Sequence, residues 1–559
     1  MENISIQSEK ELLISYACEQ FEKAAYDKAL EAFILAYQKG YEKEWIFENI
    51  YNCYMIGNEE EFRKTYMHQA ADAKISYDEC LLDFIPYRDG EYFIFDKEKR
   101  IFRGVFSVSA LQGAKADSAY EVMEYSAAVV ALDWDFRVES SILTKAPERK
   151  IYIVCQDAKR CMSFWKVPEL KEYLKKIIVF FNYHELQNFF HKNTSVYLPR
   201  IIRGSGEANK ILEKICEEEH QYRLTDEGRN TENVLLTIAI PTANRGNLLL
   251  QRLDHLLSMP YDAEIEIAVS KNCTEKFEEE YKQASMITDA RLHYYDHGKD
   301  LQGYQSFHYA VEMSCGKYVL LVSDEDDVII YALEHYLKVL ESFPEVSIAR
   351  VKSNNYWDIT ERKLGKKGLE ALELMFLKQS NISGLMLRRK DFIDDDFLKC
   401  PEKKLADNIF FLYYPHECWC WALCRRGDAL YEPVALINEG ESVNKEYFFP
   451  EYASYQERLK QFKGMIDFLH SFIETDIEIT KMELGKIIGK IAHLLEMARE
   501  LGHDRDNYFN VMDQFATICI QAVESFPFNS VQKVQILNFL NYCVVNVISL
   551  DNRLKREGK

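Results

Sequence analysis

Apolar and polar positions change their spacing several times along the chain, and each change predicts a different kind of structure. Up to about residue 80 the spacing is helical. Tyr26, Ala29, Leu30, Phe33, Ala36 and Tyr37 share one face, and Gly40 closes the segment. A looser echo runs from Trp45 to Ala70, with Gly57 and Asn58 expected at its turn. From about 81 to 205 short β-type runs take over: EYFIFD, SAAVVALDWD, KIYIVCQD and KIIVFFNY, with helix-like VPELKEYL between the last two. RIIRGSGEANK follows and reads as a linker, because Gly204 and Gly206 lack the third glycine of a dinucleotide fingerprint.

Between about 233 and 358 strand and helix patterns alternate. Leu235 to Ile240 predicts a strand ended by Pro241, which has no N–H to give a ladder. Leu249, Leu253, Leu256 and Leu257 predict a helix, and Glu264 to Val269 alternates as a second strand. A strand at Leu292 to Tyr295, a helix at Tyr304 to Met313 and the apolar strand Tyr318 to Val322 complete the series. Repeated β-α units imply a mostly parallel sheet, and ligands of such sheets bind beyond the carboxyl ends of the strands. From about 451 the pattern is helical again, with Leu484, Ile487, Ile488, Ile491, Leu494, Leu495 and Ala498 in one stripe.

Composition narrows the class. The chain has 559 residues, 47% hydrophobic and 28% charged, which is ordinary for folded protein and too long for one core. A formal net charge of -21 repels phosphate backbones and anionic lipid, against nucleic-acid partners and membrane binding. No apolar stretch is long enough to cross a bilayer, and Met1-Glu2-Asn3-Ile4 opens no signal peptide. Fourteen cysteines without a short paired framework then read as reduced thiols in the cytoplasm.

The candidate chemistry lies at the end of the strand from Tyr318, where Ser323 precedes Asp324-Glu325-Asp326-Asp327. Adjacent carboxylates repel one another, and a magnesium or manganese ion offsets that charge while completing its shell with water and substrate phosphates. The bland alternative is that the acids cap the helix expected from Val328 to Leu340. A Walker-type nucleotide hydrolase is set aside, because the chain holds no G-x-x-x-x-G-K-[ST] loop. His416, Cys418, Cys420 and Cys424 lack paired C-x2-C knuckles and read as buried thiols on an apolar helix, not as a zinc site.

Three pieces, in this order, resemble the family-2 glycosyltransferases of the GT-A fold. TIAIPTANRGNLLLQRLDHLL is similar to that family's opening "IPTYNR" strand, EIAVSKNC to its second strand and nucleotide loop, and DLQGYQSFHYAVEMSCGKYVLLVSDEDD to the run into its D-x-D motif. The resemblance implies a nucleotide-sugar donor held by Pro241, Thr242, Asn244, Arg245, Lys271, Asn272, Gly303, Ser323, Asp324 and Glu325, with Mn2+ or Mg2+ on Asp324 and Asp326. Two departures stand out: Lys271 occupies the place of an acid that contacts the base, and Asp300-Leu301-Gln302 replaces Asn-Leu-Gly, with Gly303 one place later. Downstream, SGLMLRRKDF resembles the acceptor-side strand, and LADNIFFLYYPHECWCWALCRRGDALYEPVALINEGES the closing helix and strand. Asp407 is the implied general base, with Asp394, Asp395, Asp396 and Glu417 competing, and His416 is a candidate contact to diphosphate or acceptor.

The expected architecture is multi-domain α/β. A tetratricopeptide-like helical segment (1–80) and a small α/β domain with linker (81–228) precede a GT-A domain with a Rossmann-like, mostly parallel sheet (229–450) and a C-terminal helical domain (451–559). The expected reaction is inverting transfer of a sugar from a nucleotide donor to a hydroxyl of a protein or glycan acceptor, with homo-oligomers allowed. Alternatives are a non-catalytic scaffold with a degenerate transferase domain, a surface-polysaccharide transferase, and a nucleotidyltransferase, which would usually carry a glycine-rich basic loop that PTANRGN lacks.

Overall fold

The computed structural model describes all residues except 1, 42–43, 71–73, 89, 109–127, 133–149, 156, 205, 260–261, 274–275, 302, 355–358, 379–381, 400–406, 441–453, 473–476, 503–507 and 557–559. The chain forms two compact units, Met1–Glu219 and His220–Lys559.

The first unit opens with helices Glu2–Glu22, Tyr26–Gln38 and Glu44–Gln69. Gly40 takes φ +84° after the second helix, and its amide and that of Tyr41 turn back to the carbonyls of Tyr37 and Ala36. The third helix corrects the sequence expectation. It runs unbroken through Gly57 and Asn58, and Asn58 donates its side-chain amide to the Tyr54 carbonyl instead of opening a turn. Strands β1 (Leu82–Arg88), β2 (Glu91–Asp96) and β3 (Ile101–Ser107) form an antiparallel sheet. Its Ile85, Phe93 and Phe95 pack with Ala29, Phe33 and Ile50 of the helices. Strands β4 (Ala128–Leu132), β5 (Lys150–Val154), β6 (Ile177–Phe180) and β7 (Ile201–Arg203) form a parallel sheet in the order β6-β5-β4-β7. RIIRGSGEANK is therefore not a linker: it supplies β7 and the start of helix Glu207–Arg223.

The second unit is built on a nine-stranded sheet. Its strands are β8 (Leu236–Thr242), β9 (Ile265–Lys271), β10 (Leu292–Asp296), β11 (Tyr318–Leu321), β12 (Asp327–Val328), β13 (Val346–Ser353), β14 (Lys363–Gly365), β15 (Leu385–Arg388) and β16 (Asp428–Asn438). The order is β10-β9-β8-β11-β15-β13-β16-β12, with β14 on β16. Only β15 and the short β12 and β14 run against the rest, so the sheet is mostly parallel, as the β-α alternation predicts.

Every residue of β8 is buried, as a run of apolar residues in the middle of a covered parallel sheet requires. Pro241 does not end this strand: pairing continues to Thr242 against Lys271. The Leu236 N–H points toward β9, so by alternation the nitrogen of Pro241 points toward β11. The ladder there has already finished with Val322 bonded to Ala239, so no ladder bond is lost. Leu249, Leu253 and Leu256 of helix Gly246–Leu257 bury the face that their spacing predicts, each contributing roughly 1.5–3 kcal/mol.

One apolar core joins Val319 and Leu385 of the sheet to Trp419 and then to Phe462, Ile487 and Phe515 of the last helices. Leu484, Ile487, Ile488 and Ile491 are fully buried in it, whereas the side chains of Leu494, Leu495 and Ala498 lie outside the described residues. Helix Pro415–Cys424 is buried along its whole length, and burial pushes the thiols of Cys418, Cys420 and Cys424 up. These are inert apolar thiols, as their sequence context suggests.

Candidate donor site

In open α/β sheets the crevice opens where neighbouring strands connect in opposite directions. Here that point lies between β8, which continues through a helix to β9 on one side, and β11 on the other. Both strands deliver polar residues to it. Thr242, the last residue of β8, donates its hydroxyl to Asp324 Oδ2 at 2.7 Å and meets the Tyr281 hydroxyl at 2.9 Å. Asn244 adopts φ +57°, a left-handed turn that asparagine tolerates, and Arg245 follows it. The Arg245 amide donates to Tyr281 Oη at 2.9 Å, while its guanidinium reaches Asp324 Oδ1 at 2.8 Å and Glu325 Oε2 at 3.0 Å.

The acidic run is thereby divided. Asp324 and Glu325 share Arg245, and Asp327 pairs with Arg252. Among the described residues Asp326 has no ion pair; it accepts the Gly440 N–H at 3.0 Å and a hydrogen bond from Ser383. Burial pushes the carboxyls of Asp324, Glu325 and Asp326 all above the usual range. Arg245 works against that for Asp324 and Glu325; for Asp326 the Ser383 and Gly440 hydrogen bonds and the charge of Arg252 work against it, and the charge of Glu439 adds to it. Burial alone would lower Arg245, but Asp324 and Glu325 hold its guanidinium more firmly charged than usual. Asp324 and Asp326 are 2% and 5% exposed, so desolvated carboxylates gather here in hard-oxygen form. That donor set suits a divalent magnesium or manganese ion.

The capping alternative fails on geometry. Asp327 and Val328 form a short strand with β16, and the next helix starts at Ile330 with Ile329 as its N-cap and no side-chain cap bond.

The remaining predicted residues fall into three groups. Pro241 is buried beneath the crevice, and the Ser323 amide is held by Ser383 Oγ at 2.8 Å. Lys271 ends β9 beside Asp296 of β10: its Nζ donates to Asp296 Oδ2 at 2.7 Å and lies 5.4 Å from the Tyr281 ring. An acid therefore does stand next to this position, supplied by the neighbouring strand. Asn272 works as a clamp, with Oδ1 accepting the amides of Leu301 and Cys273 and Nδ2 donating to the Leu301 carbonyl. This ties down the approach to helix Gly303–Met313, which begins at Gly303.

Asp407 is exposed in the turn before helix Ile409–Tyr413. His416 sits on the buried helix at 4% exposure, which makes it a core histidine and argues against direct contact with a substrate. Of the rival bases, Glu417 is fully enclosed and accepts the Leu377 amide at 2.7 Å. Asp395 is spent on capping Phe397 and Leu398 and on Arg426. Asp396 is exposed at the start of helix Asp396–Lys399.

Tyr281, Asp296, Ser383 and Glu439 were not singled out from the sequence. Tyr281 carries no motif, Ser383 opens the stretch SGLMLRRKDF with no role assigned to it, and only the acid just past β16 could have pointed to Glu439.

A switch-point crevice with desolvated carboxylates at the end of a Rossmann-like half-sheet defines a GT-A-type transferase domain. Residues 237–397 match the family described as "Glycosyl transferase family 2". The chain thus carries a family-2 glycosyltransferase domain over these residues. No curated protein matches it. Among solved structures, S. aureus TarS 1-349 in complex with UDP-GlcNAc is similar at 12% identity and TM-score 0.38, over 58% of this chain and 92% of that one. Mannosyltransferase PcManGT from Pyrobaculum calidifontis, in complex with GDP-Man and Mn2+, is similar at 10% identity and TM-score 0.34, over 66% and 98%. Among the described residues no helix is long and apolar enough to cross a membrane.

Proposed function

We propose that the second unit transfers a sugar, with inversion, from a nucleoside-diphosphate donor to a hydroxyl acceptor, using the crevice between β8 and β11. The observation that carries this reading is the buried Asp326, desolvated and without an ion pair among the described residues, with Glu439 repelling it and Arg252 attracting it, beside an Asp324 already held by Arg245. Asp324 and Asp326 would hold a Mn2+ or Mg2+ ion, which when bound offsets the charge of a diphosphate leaving group. Thr242 and Tyr281 hold Asp324 and the Arg245 backbone in position, and the Lys271–Asp296 pair borders the place where a base would lie. Asp407, exposed and ahead of a short helix, is the acceptor-side base that takes the hydroxyl proton.

The test is calorimetry of nucleotide binding with and without manganese. Asp326→Asn should abolish the manganese-dependent part while the fold is retained, because a strand-end carboxylate is not needed for the core. Unchanged affinity in that variant would remove the assignment.

For the acceptor, we propose a protein or a glycan already attached to one. The support is the first unit, a large addition to the transferase, together with a net charge of -21 that disfavours a lipid surface. A chain beginning near residue 229, if folded, should keep donor hydrolysis and lose transfer to the acceptor protein. Equal transfer by the shortened chain would end that proposal.

A further inference from the structure

At the opposite, amino-terminal end of the same strands lies a second cluster with no part in the donor crevice. Glu266 on β9, His293 on β10 and Cys315, ahead of β11, bring one carboxylate oxygen, one imidazole nitrogen and one sulfur within 4.8 Å of one another. Thr237, which contacts Glu266, and Thr242, which contacts Asp324, lie five residues apart on β8, so about 16 Å of strand separates this cluster from the acidic crevice.

We propose that Glu266, His293 and Cys315 form a zinc site. The donor set of one thiolate, one imidazole and one carboxylate is typical of zinc and unlike the all-oxygen shell that magnesium or manganese prefers. Zinc bonds of roughly 2.0–2.3 Å bring ligands well within the observed separation.

The carboxylate is held for this purpose. Glu266 is fully buried, and its Oε2 accepts the Thr237 hydroxyl at 2.5 Å and the Cys315 amide at 2.7 Å. Its Oε1 pairs with His293, 2.6 Å from Nδ1. Thr237 is oriented in turn by the Gly316 N–H at 2.8 Å. A Cβ at Gly316 would stand 2.6 Å from both the amide nitrogen and the hydroxyl of Thr237, so glycine is what lets the Cys315 turn press against β8. Such outer hydrogen bonds are what fix the orientation of metal ligands. His293 and Cys315 are half-buried, which leaves an entry path and room for water at a fourth position. A bound ion would tie β8, β9, β10 and the turn before β11 together at the edge that does no chemistry.

The experiment uses the full chain, stripped with chelator and kept reduced. Zn2+ is titrated against a chromophoric chelator, and Co2+ is added separately while near-ultraviolet absorption is followed. One equivalent of zinc should bind, and cobalt should give a sulfur-to-metal charge-transfer band. Cys315→Ser should abolish the band and weaken zinc binding about 10²-fold, and His293→Gln should weaken it about tenfold or more. Asp326→Asn should change neither, which separates this site from the donor crevice. Unfolding midpoints in chelator establish that the variants are folded, and the two partly exposed positions provide independent readouts if one is not. A wild-type chain that takes up no zinc overturns the proposal, as does a Cys315→Ser protein that keeps both band and affinity.

Discussion

Glu417 offers a perturbation whose size follows from its surroundings. It lies on the wholly buried helix Pro415–Cys424, and burial pushes its carboxyl up to about 7, against the Leu377 amide and the nearby Lys490, Arg350 and Lys486, which favour the charged form. The unfolded chain would titrate this group near the model-peptide value of 4.5. The native state therefore binds the proton more tightly than the unfolded state does. The resulting stabilisation is complete below the unfolded value and is lost as pH rises from there through about 7. A separation of some 2.5 pKa units corresponds to about 3 kcal/mol, lost between about pH 5 and pH 8. Glu417→Gln keeps an oxygen for the Leu377 amide and removes the titration. Urea unfolding of wild type and variant across that pH range should show the variant's stability falling by about 3 kcal/mol less. Parallel pH profiles would refute the argument. Sugar transfer should persist in the variant, since an enclosed carboxyl cannot reach an acceptor; loss of turnover with stability intact would return Glu417 to the list of bases.

Three further outcomes follow from the site. Asp407→Asn should cut turnover about 10²-fold or more with donor affinity unchanged, as when a positioned proton acceptor is lost; steady-state kinetics with separate donor titration decides this. Gly440→Ala places a Cβ 2.0 Å from the Glu325 carbonyl oxygen, so the acidic turn must shift. Manganese-dependent nucleotide affinity should fall about tenfold, with a stability loss of about 1–3 kcal/mol read from the urea midpoint. Asn408→Ala removes the cap that accepts the amides of Phe410 and Phe411, and the Gly464 contact with it, and should cost about 1–2 kcal/mol without changing donor binding.

Much of the second unit was legible because its elements are local. The period of Leu249, Leu253 and Leu256 and the apolar run at Tyr318 are set by which face meets the core, and the structure places them accordingly. Pro241 and Gly57 misled for one reason: a rule about residue type was applied without its surroundings. Pro241 lies where its missing donor costs nothing, and Gly57 has nothing within 4 Å of where its Cβ would be, in a helix held by neighbouring contacts. Partners distant along the chain were beyond reach. Nothing local to Tyr281 announces a hydroxyl set against Thr242 and Arg245, and nothing local to Ser383 or Gly440 announces hydrogen bonds to Asp326.

The acidic run shows what that missing knowledge changes. As a sequence it is four like charges in need of an outside cation. In the fold, Arg245 answers Asp324 and Glu325, and Arg252 answers Asp327, so most of the repulsion is met from within the chain. What remains is narrower: Asp326, 5% exposed, set between the repelling charge of Glu439 just past β16 and the attracting charge of Arg252, which makes no ion pair with it. Two arginines near the donor site then have a second consequence. A diphosphate entering the crevice can compete for Arg245, and each carboxylate it frees becomes available to a divalent ion. Metal and nucleotide should therefore bind with mutual reinforcement, manganese raising nucleotide affinity by the same factor as nucleotide raises manganese affinity. Arg245→Met should shrink that factor in both directions equally, and a metal affinity indifferent to nucleotide in the wild type would show that Arg245 does not change partners.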